Sequence, residues 1–398
     1  MFLEILIATA LGIGAGIFTG LTPGIHVNLV SATLLSLSGW LLGFVDVVTL
    51  AVFIIAMAVV HTFLNAIPSI YLGAPDTAQV LTVLPGHRML LRGRGYEAVK
   101  LTVIGSFWSL LVILAVAPLL LLVMGTLQNI LQPFIGWLLV AVVLWMIYRE
   151  EKRLVEGFLF LLSGVLGLIV LNIGIPQPLF PLLSGLFGLS TLIISLNEKA
   201  VIPPQRIQQR TFIQKRQVIA SVGVASLVGG FVGFFPGLGS AQAAVIGTQL
   251  LNAENKNFLV LVGGIDTANM VMSLVTFYAL DKARSGAIVA VRELLEVITF
   301  QHFVLFLVVA LISGGLAVWL TLFFAKKFAQ WMKLVRYEWL CVGVIALILV
   351  LVPVISGWAG VLVVIVSTLV GMIAPLANVS RSEAMGCLLL PVIIWFLV

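Results

Sequence analysis

Two Pro-Gly pairs interrupt long apolar runs at matching places, and no other feature limits the folds open to this chain so tightly. The first lies in Gly16–Asn28, G-I-F-T-G-L-T-P-G-I-H-V-N, and the second in Gly229–Ala241, G-G-F-V-G-F-F-P-G-L-G-S-A. A single shift carries Gly16, Phe18, Gly20, Pro23 and Gly24 onto Gly229, Phe231, Gly233, Pro236 and Gly237. Proline has no N–H, clashes with the preceding turn and pushes the residue before it towards extended geometry, so each pair stops a helix. Broken helices at corresponding places in two halves of an apolar chain point to a transporter binding site.

The surroundings of both pairs are membrane-like. Of 398 residues, 62% are hydrophobic and 9% charged, against about 25% charged in soluble domains. Runs near the roughly 20 residues needed to span a bilayer recur along the whole chain. The expected fold is therefore an all-α polytopic membrane protein with broken or re-entrant helices, multi-pass in the cytoplasmic (inner) membrane. A membrane β-barrel needs short alternating segments, and continuous stretches such as Leu110–Met124 and Cys341–Val352 do not alternate. The net charge of +6 gathers between apolar runs, as juxtamembrane Lys and Arg do, and does not indicate nucleic acid. Cys341 and Cys387 sit in apolar runs without metal spacing and read as inert thiols. The N-terminus lacks a basic n-region, so no cleaved signal peptide is expected.

Landmarks beyond the Pro-Gly pairs extend the repeat. Asp76-Thr77-Ala78 matches Asp266-Thr267-Ala268, and Arg94-Gly95 matches Arg284-Ser285-Gly286. We expect residues 1–196 to form one transmembrane half and 218–398 the other, with added C-terminal helices. Residues 197–217 form a polar, basic linker, cytoplasmic by the positive-inside bias. An inverted relation between halves is the expected one for a transporter with a midplane site. Within the first half, Asn65–Ala78 contains Pro68, Gly73 and Pro75 and reads as broken or re-entrant. Leu84–Lys100 reads as a basic, Gly-rich loop with His87 in solvent.

After each Pro-Gly turn a helix begins with free N–H groups and the positive end of its dipole, which attracts carboxylate or phosphate. The substrate-binding candidates are thus Thr22, Pro23, Gly24, His26 and Asn28 from the first loop. The second loop contributes Pro236, Gly237, Gly239, Ser240 and Gln242. Asp76 and Asp266, each followed by threonine (Thr77, Thr267), and Asn269 one turn on, are candidates for a coupling ion or substrate. An ionisable group at membrane depth is costly and reads as functional, although an aspartate also caps helices well. A carboxylate with hydroxyl and amide oxygens suits Na⁺, and a desolvated one can carry H⁺. His61 and His302, lone histidines in apolar runs, read as structural. No G-x-S-x-G, H-E-x-x-H, C-x-x-C or Walker A run is present, so no enzyme, metal centre or cofactor is expected beyond Na⁺ as coupling ion. A membrane aspartyl protease built on Asp76 and Asp266 is less economical than duplication.

At these residues the chain resembles the large permease subunit of the tripartite tricarboxylate transporters, the TctA-like family, in its archaeal-type branch. The resemblance rests on G-L-T-P-G-I-H, A-I-P-S-I-Y-L-G-A-P-D-T-A, L-P-G-H-R-M-L-L-R-G-R-G-Y-E-A-V, F-P-G-L-G-S-A and S-R-S-E-A-M-G-C-L-L-L-P. It implies a symporter for a di- or tricarboxylate, driven by a cation gradient, with its site at the two Pro-Gly loops. It also implies a small membrane subunit and an extracytoplasmic binding protein as partners. The family's first loop usually reads P-G-L-G, where this chain has His26 in place of the second glycine. The alternatives are a polyprenyl-phosphate (anionic lipid carrier) translocase and a non-transport membrane scaffold.

Overall fold

The structure is a computed structural model. It describes every residue except 1, 24, 75–82, 150, 198–202, 208–210, 212, 236–238, 252–254, 296, 333–336, 380 and 398, with backbone only at 83, 84, 128, 129, 132, 195, 255, 337 and 382. The described residues are helical with no strand. Among the described residues eight helices are long and apolar enough to cross a membrane, and the protein is a multi-pass membrane protein.

In the first half α1 (Phe2–Leu21) stops at the Pro-Gly segment and α2 (Val27–Ser36) restarts beyond it. A short α3 (Ser38–Leu41) leads to α4 (Val47–Leu64), which opens on Asp46: Oδ1 accepts the Thr49 N–H at 3.0 Å. Next come α5 (Ala66–Tyr71), α6 (Val83–Leu90) and the long α7 (Gly95–Leu131). The half continues through α8 (Ile135–Arg149), α9 (Arg153–Asn172), α10 (Leu179–Leu183) and α11 (Ser190–Asn197). Beyond the linker lie α12 (Lys215–Phe234), α13 (Ser240–Leu251), α14 (Asn255–Leu280), α15 (Gly286–Leu295), α16 (Phe300–Trp331), α17 (Tyr337–Ala377) and α18 (Gly386–Leu397). α17 is two helices joined at Gly357, whose φ of 70° only glycine adopts without strain. That break falls just beyond the apolar stretch Cys341–Val352.

Two expectations need correction. Asn65–Ala78 is less broken than its prolines suggest, because α5 follows α4 directly and runs to Tyr71. Pro68 is the third residue of α5, where the missing N–H has no intrahelical partner to lose. The turn comes at Gly73, φ +65°. Leu84–Lys100 is not an open loop, since it holds α6 and the first turn of α7. His87 is buried there, its Nδ1 3.1 Å from the Ile70 carbonyl oxygen. Burial lowers the His87 pKa and the Ile70 contact partly offsets this, so the imidazole is held neutral.

Helices α4 and α14 are the most enclosed spans, 83% and 89% buried. Close approach through small residues builds this centre, the usual packing device where lipid offers no hydrophobic drive. A methyl group on Gly16 would stand 2.7 Å from the Met57 carbonyl oxygen and 2.7 Å from Val60 Cβ. One on Gly229 would stand 2.7 Å from the Ile265 carbonyl oxygen and 3.0 Å from Ala268 Cβ. Gly20 meets Leu64 as Gly233 meets Met272. The α1–α4 and α12–α14 pairs thus dock in the same register. Where α7 crosses α14, Gly105 lies against Val260, and Ser106 Oγ donates to the Gly263 carbonyl at 2.9 Å.

The linker is docked where it is described. Gln205, 4% exposed, accepts the Gly95 N–H at 2.8 Å and donates to the Leu90 carbonyl at 2.9 Å. It thereby satisfies groups that the α6–α7 turn leaves without helical partners.

Candidate functional site

The starts of α2 and α13 face one cavity of about 500 Å³ between the halves. From the first loop it is lined by His26 and Asn28, and from the second by Gly239, Ser240 and Gln242. Asp266 and Asn269 reach it from α14. Seven of the fifteen predicted residues therefore line a single space. Thr22 and Pro23 do not line it; they form the turn in which the Thr22 carbonyl accepts the Ile25 N–H at 3.3 Å. Thr267 is wholly buried behind the wall, its hydroxyl 3.0 Å from that of Thr62. Gly24, Asp76, Thr77, Pro236 and Gly237 lie outside the described residues.

The helix ends are less bare than their sequence suggests. The Asn28 N–H donates to His26 Nδ1 at 3.1 Å, so His26 is the N-cap of α2. The Gly239 N–H donates to Gln242 Oε1 at 3.0 Å, a side chain reaching back from the first turn of α13. Each loop thus spends one backbone donor on its own side chain.

Asp266 lies mid-way along α14, which removes the helix-capping reading for this residue. It is 6% exposed and held from both halves: Asn65 Nδ2 donates to Oδ2 at 2.8 Å and Ser240 Oγ donates to Oδ1 at 3.0 Å. Asn269 Nδ2 donates in turn to Ser240 Oγ at 3.1 Å. These neutral partners stabilise a carboxylate without cancelling its charge.

Four lining residues escaped the sequence reading of the site. His61 is buried at the wall, its ring 4.9 Å from that of His26 and its Nδ1 3.2 Å from Thr19 Oγ1. Thr62 follows it on α4. Arg284, read as a basic stretch after the repeat, leaves the α14–α15 connection and lines the cavity with a buried Nε that has no partner among the described residues. Gly286 brings α15 against Asn28, whose Cγ would stand 2.7 Å from an added methyl group. Only packing register identifies these residues, because a lone histidine or a loop arginine has no distinctive local sequence.

The register also revises the pairing of halves. If Met57 and Val60 take the places of Ile265 and Ala268, Asp266 stands opposite Ala58, Asn269 opposite His61 and Met270 opposite Thr62. All six line the cavity. This register sets Asp266 against Ala58, while the Asp76–Asp266 match is one of sequence alone, Asp76 lying outside the described residues.

An uncharacterized protein of Methanocaldococcus jannaschii is 30% identical over 400 residues, covering 97% of this chain and 98% of the relative. No solved structure matches the chain. Residues 6–386 match the family model described as the tripartite tricarboxylate transporter TctA family. A match over nearly the whole length, taken with eight apolar helices around a polar cavity, places this chain in the tripartite tricarboxylate transporter TctA family.

Proposed function

We propose that the protein is a secondary transporter that carries an organic carboxylate across the cytoplasmic membrane, driven by a gradient of Na⁺ or H⁺. The observation that carries this reading is the cavity between the α2 and α13 starts, lined by both Asp266 and Arg284. Arg284 and the two helix ends attract the anion. Asp266, with Ser240 and Asn269 beside it and Thr267 behind, takes the coupling ion. Asp76 and Thr77 are assigned to the same role on their sequence motif alone. The two halves are proposed to be inverted copies that rock around this site in alternating access. The matched dockings of α1 on α4 and α12 on α14 support that duplication. A small membrane subunit and an extracytoplasmic binding protein are the proposed partners, as the family's name implies.

A scaffold role leaves a buried carboxylate and an arginine at one cavity without a purpose, and charge at this depth is costly. The proposal is tested in proteoliposomes loaded with protein, with labelled carboxylates outside and an imposed Na⁺ or H⁺ gradient. Accumulation above the equilibrium level, lost when the gradient is collapsed, is the expected result. Gradient-independent or absent accumulation of every carboxylate would sink it.

A further inference from the structure

We infer that His26 binds a proton jointly with the substrate carboxylate, apart from the ion assigned to Asp266; this rests on the transport reading above. The decisive atom is His26 Nδ1, which accepts the Asn28 N–H at 3.1 Å and so caps α2. A neutral imidazole has one acceptor nitrogen and one N–H, which puts the hydrogen of His26 on Nε2. The lone pair that holds the cap is therefore the one an incoming proton must take. With hydrogen on Nδ1, two donors face each other and the cap is lost. The Asn28 N–H and the imidazolium N–H then both require an acceptor. A carboxylate supplies it, drawn by the full charge on the ring and the partial charge of the helix end. Proton and anion each favour the state that the other needs, and such a linkage is reciprocal.

The surroundings of His26 single it out for this role. It lines the cavity together with Asp266 and Arg284, which are of opposite sign. Its helix, α2, packs on α1, α3, α4 and α15. From α4, His61 brings its ring to 4.9 Å, and its Nδ1 lies 3.2 Å from Thr19 Oγ1 on α1. A hydroxyl serves as donor or acceptor, so a proton on His61 breaks nothing there. Two imidazolium rings at this spacing repel, so the pair takes up one proton. Helix α1 has one ionisable residue, Glu4, in its first turn, and α3 has none. On α15, Arg292 is paired with Asp281 at 3.2 Å, and Glu293 follows it. The second loop has no such latch: the Gly239 N–H is held at 3.0 Å by Gln242 Oε1, an amide oxygen that does not titrate.

The test is isothermal titration of the purified full-length protein with succinate and with citrate, at fixed Na⁺ and in buffers of differing ionisation enthalpy. The range is about pH 7 to about pH 9, where both probes stay ionised. Affinity is expected to fall by up to about tenfold per pH unit, with close to one proton taken up on binding. His26→Asn keeps a capping oxygen that does not titrate. Its slope and proton uptake vanish, and at about pH 7 it binds about tenfold or more weakly than wild type. His26→Gly leaves the Asn28 N–H without a side-chain acceptor, so it is also flat with pH but binds more tightly than His26→Asn. His61→Gln keeps the wild-type slope. Wild-type affinity that does not change with pH, or a slope that persists in folded His26→Asn or His26→Gly, overturns this inference and leaves carboxylate transport standing. Binding of neither probe by folded wild type at any pH overturns both.

Discussion

The two halves use the same docking and furnish it differently. In α1–α4 and α12–α14 a glycine of the first helix lies against a carbonyl of the second at the same distance, 2.7 Å from an added methyl group in each. The faces that these dockings turn to the cavity carry Ala58, His61 and Thr62 in one half and Asp266, Asn269 and Met270 in the other. The arginines of the matched basic stretches diverge as well. Arg94 is spent on Glu97, with Nε and one terminal nitrogen donating at 2.7 and 2.9 Å. Arg284 lines the cavity instead. The dockings agree where backbones touch, whereas among the described lining residues the carboxylate and the guanidinium, Asp266 and Arg284, both come from the second half. The proposed co-transport of an anion with a cation would draw on this asymmetry.

The sharpest break of the comparison is at Asp266. Asp266→Asn is expected to lower gradient-driven uptake by roughly 100-fold, a loss on the scale of about 2.7 kcal/mol. Its melting temperature stays close to wild type, because the amide oxygen keeps the Asn65 hydrogen bond and the Ser240 hydroxyl turns to accept from the amide nitrogen. Adding Ala58→Asp to that variant does not restore uptake, and restoration would show the two positions to be interchangeable. Next in size are the arginines. Arg284→Gln is expected to raise the apparent KM for uptake about tenfold with little change in unfolding. Arg94→Gln does the reverse, costing about 1–2 kcal/mol of stability because hydrogen bonds to a buried charge are lost while Lys256 still partners Glu97. An Arg94 variant with weakened substrate affinity would contradict the division of labour.

Much of this frame was legible in advance, for reasons that can be named. The Pro-Gly breaks were visible because proline followed directly by glycine combines a missing N–H with a free backbone, whereas single prolines such as Pro118 in α7 and Pro391 in α18 lie inside helices. Asp266 was visible because charge in an apolar run is rare. Arg284 was not, since a basic residue between spans has an ordinary topological explanation. His61 looked like packing because nothing near it in sequence is polar except Thr62, and its neighbour His26 arrives from another helix. The Asp-Thr-Ala match stays one of sequence, since Asp76 and Thr77 lie outside the described residues, whereas the glycine register is read from which residue meets a glycine across the helix interface. His87 was placed in solvent because adjacent arginines mark a surface, whereas the chain turns it inward onto Ile70.

Two smaller effects refine the comparison. Gly16→Ala and Gly229→Ala should each cost roughly 1–3 kcal/mol through overpacking against a carbonyl, and should match within a factor of two by equilibrium unfolding. A large disparity would mean the two dockings are not equivalent. His87 should contribute a pH dependence confined to the first half. Its folded pKa lies below its unfolded value of about 6.5, so the unfolded chain binds the proton first. That contribution to stability is complete above about pH 6.5 and is lost as pH falls below it, by at most about 1.4 kcal/mol per pH unit. His87→Gln should flatten this part of the stability profile in thermal unfolding from pH 7.5 to 5.

The docked linker has a mechanical consequence. Gln205 fastens the chain to the turn where α7 begins, and Lys256 Nζ, at the start of α14, reaches Glu97 Oε1 across a 3.0 Å gap. Gln217, near the start of α12, borders the same small hollow as Lys256. The starts of α7 and α14 are therefore tied together, with the start of α12 beside them, at one end of the molecule. In the proposed rocking of the halves that end would be the fulcrum, and the widest travel would fall to the opposite end.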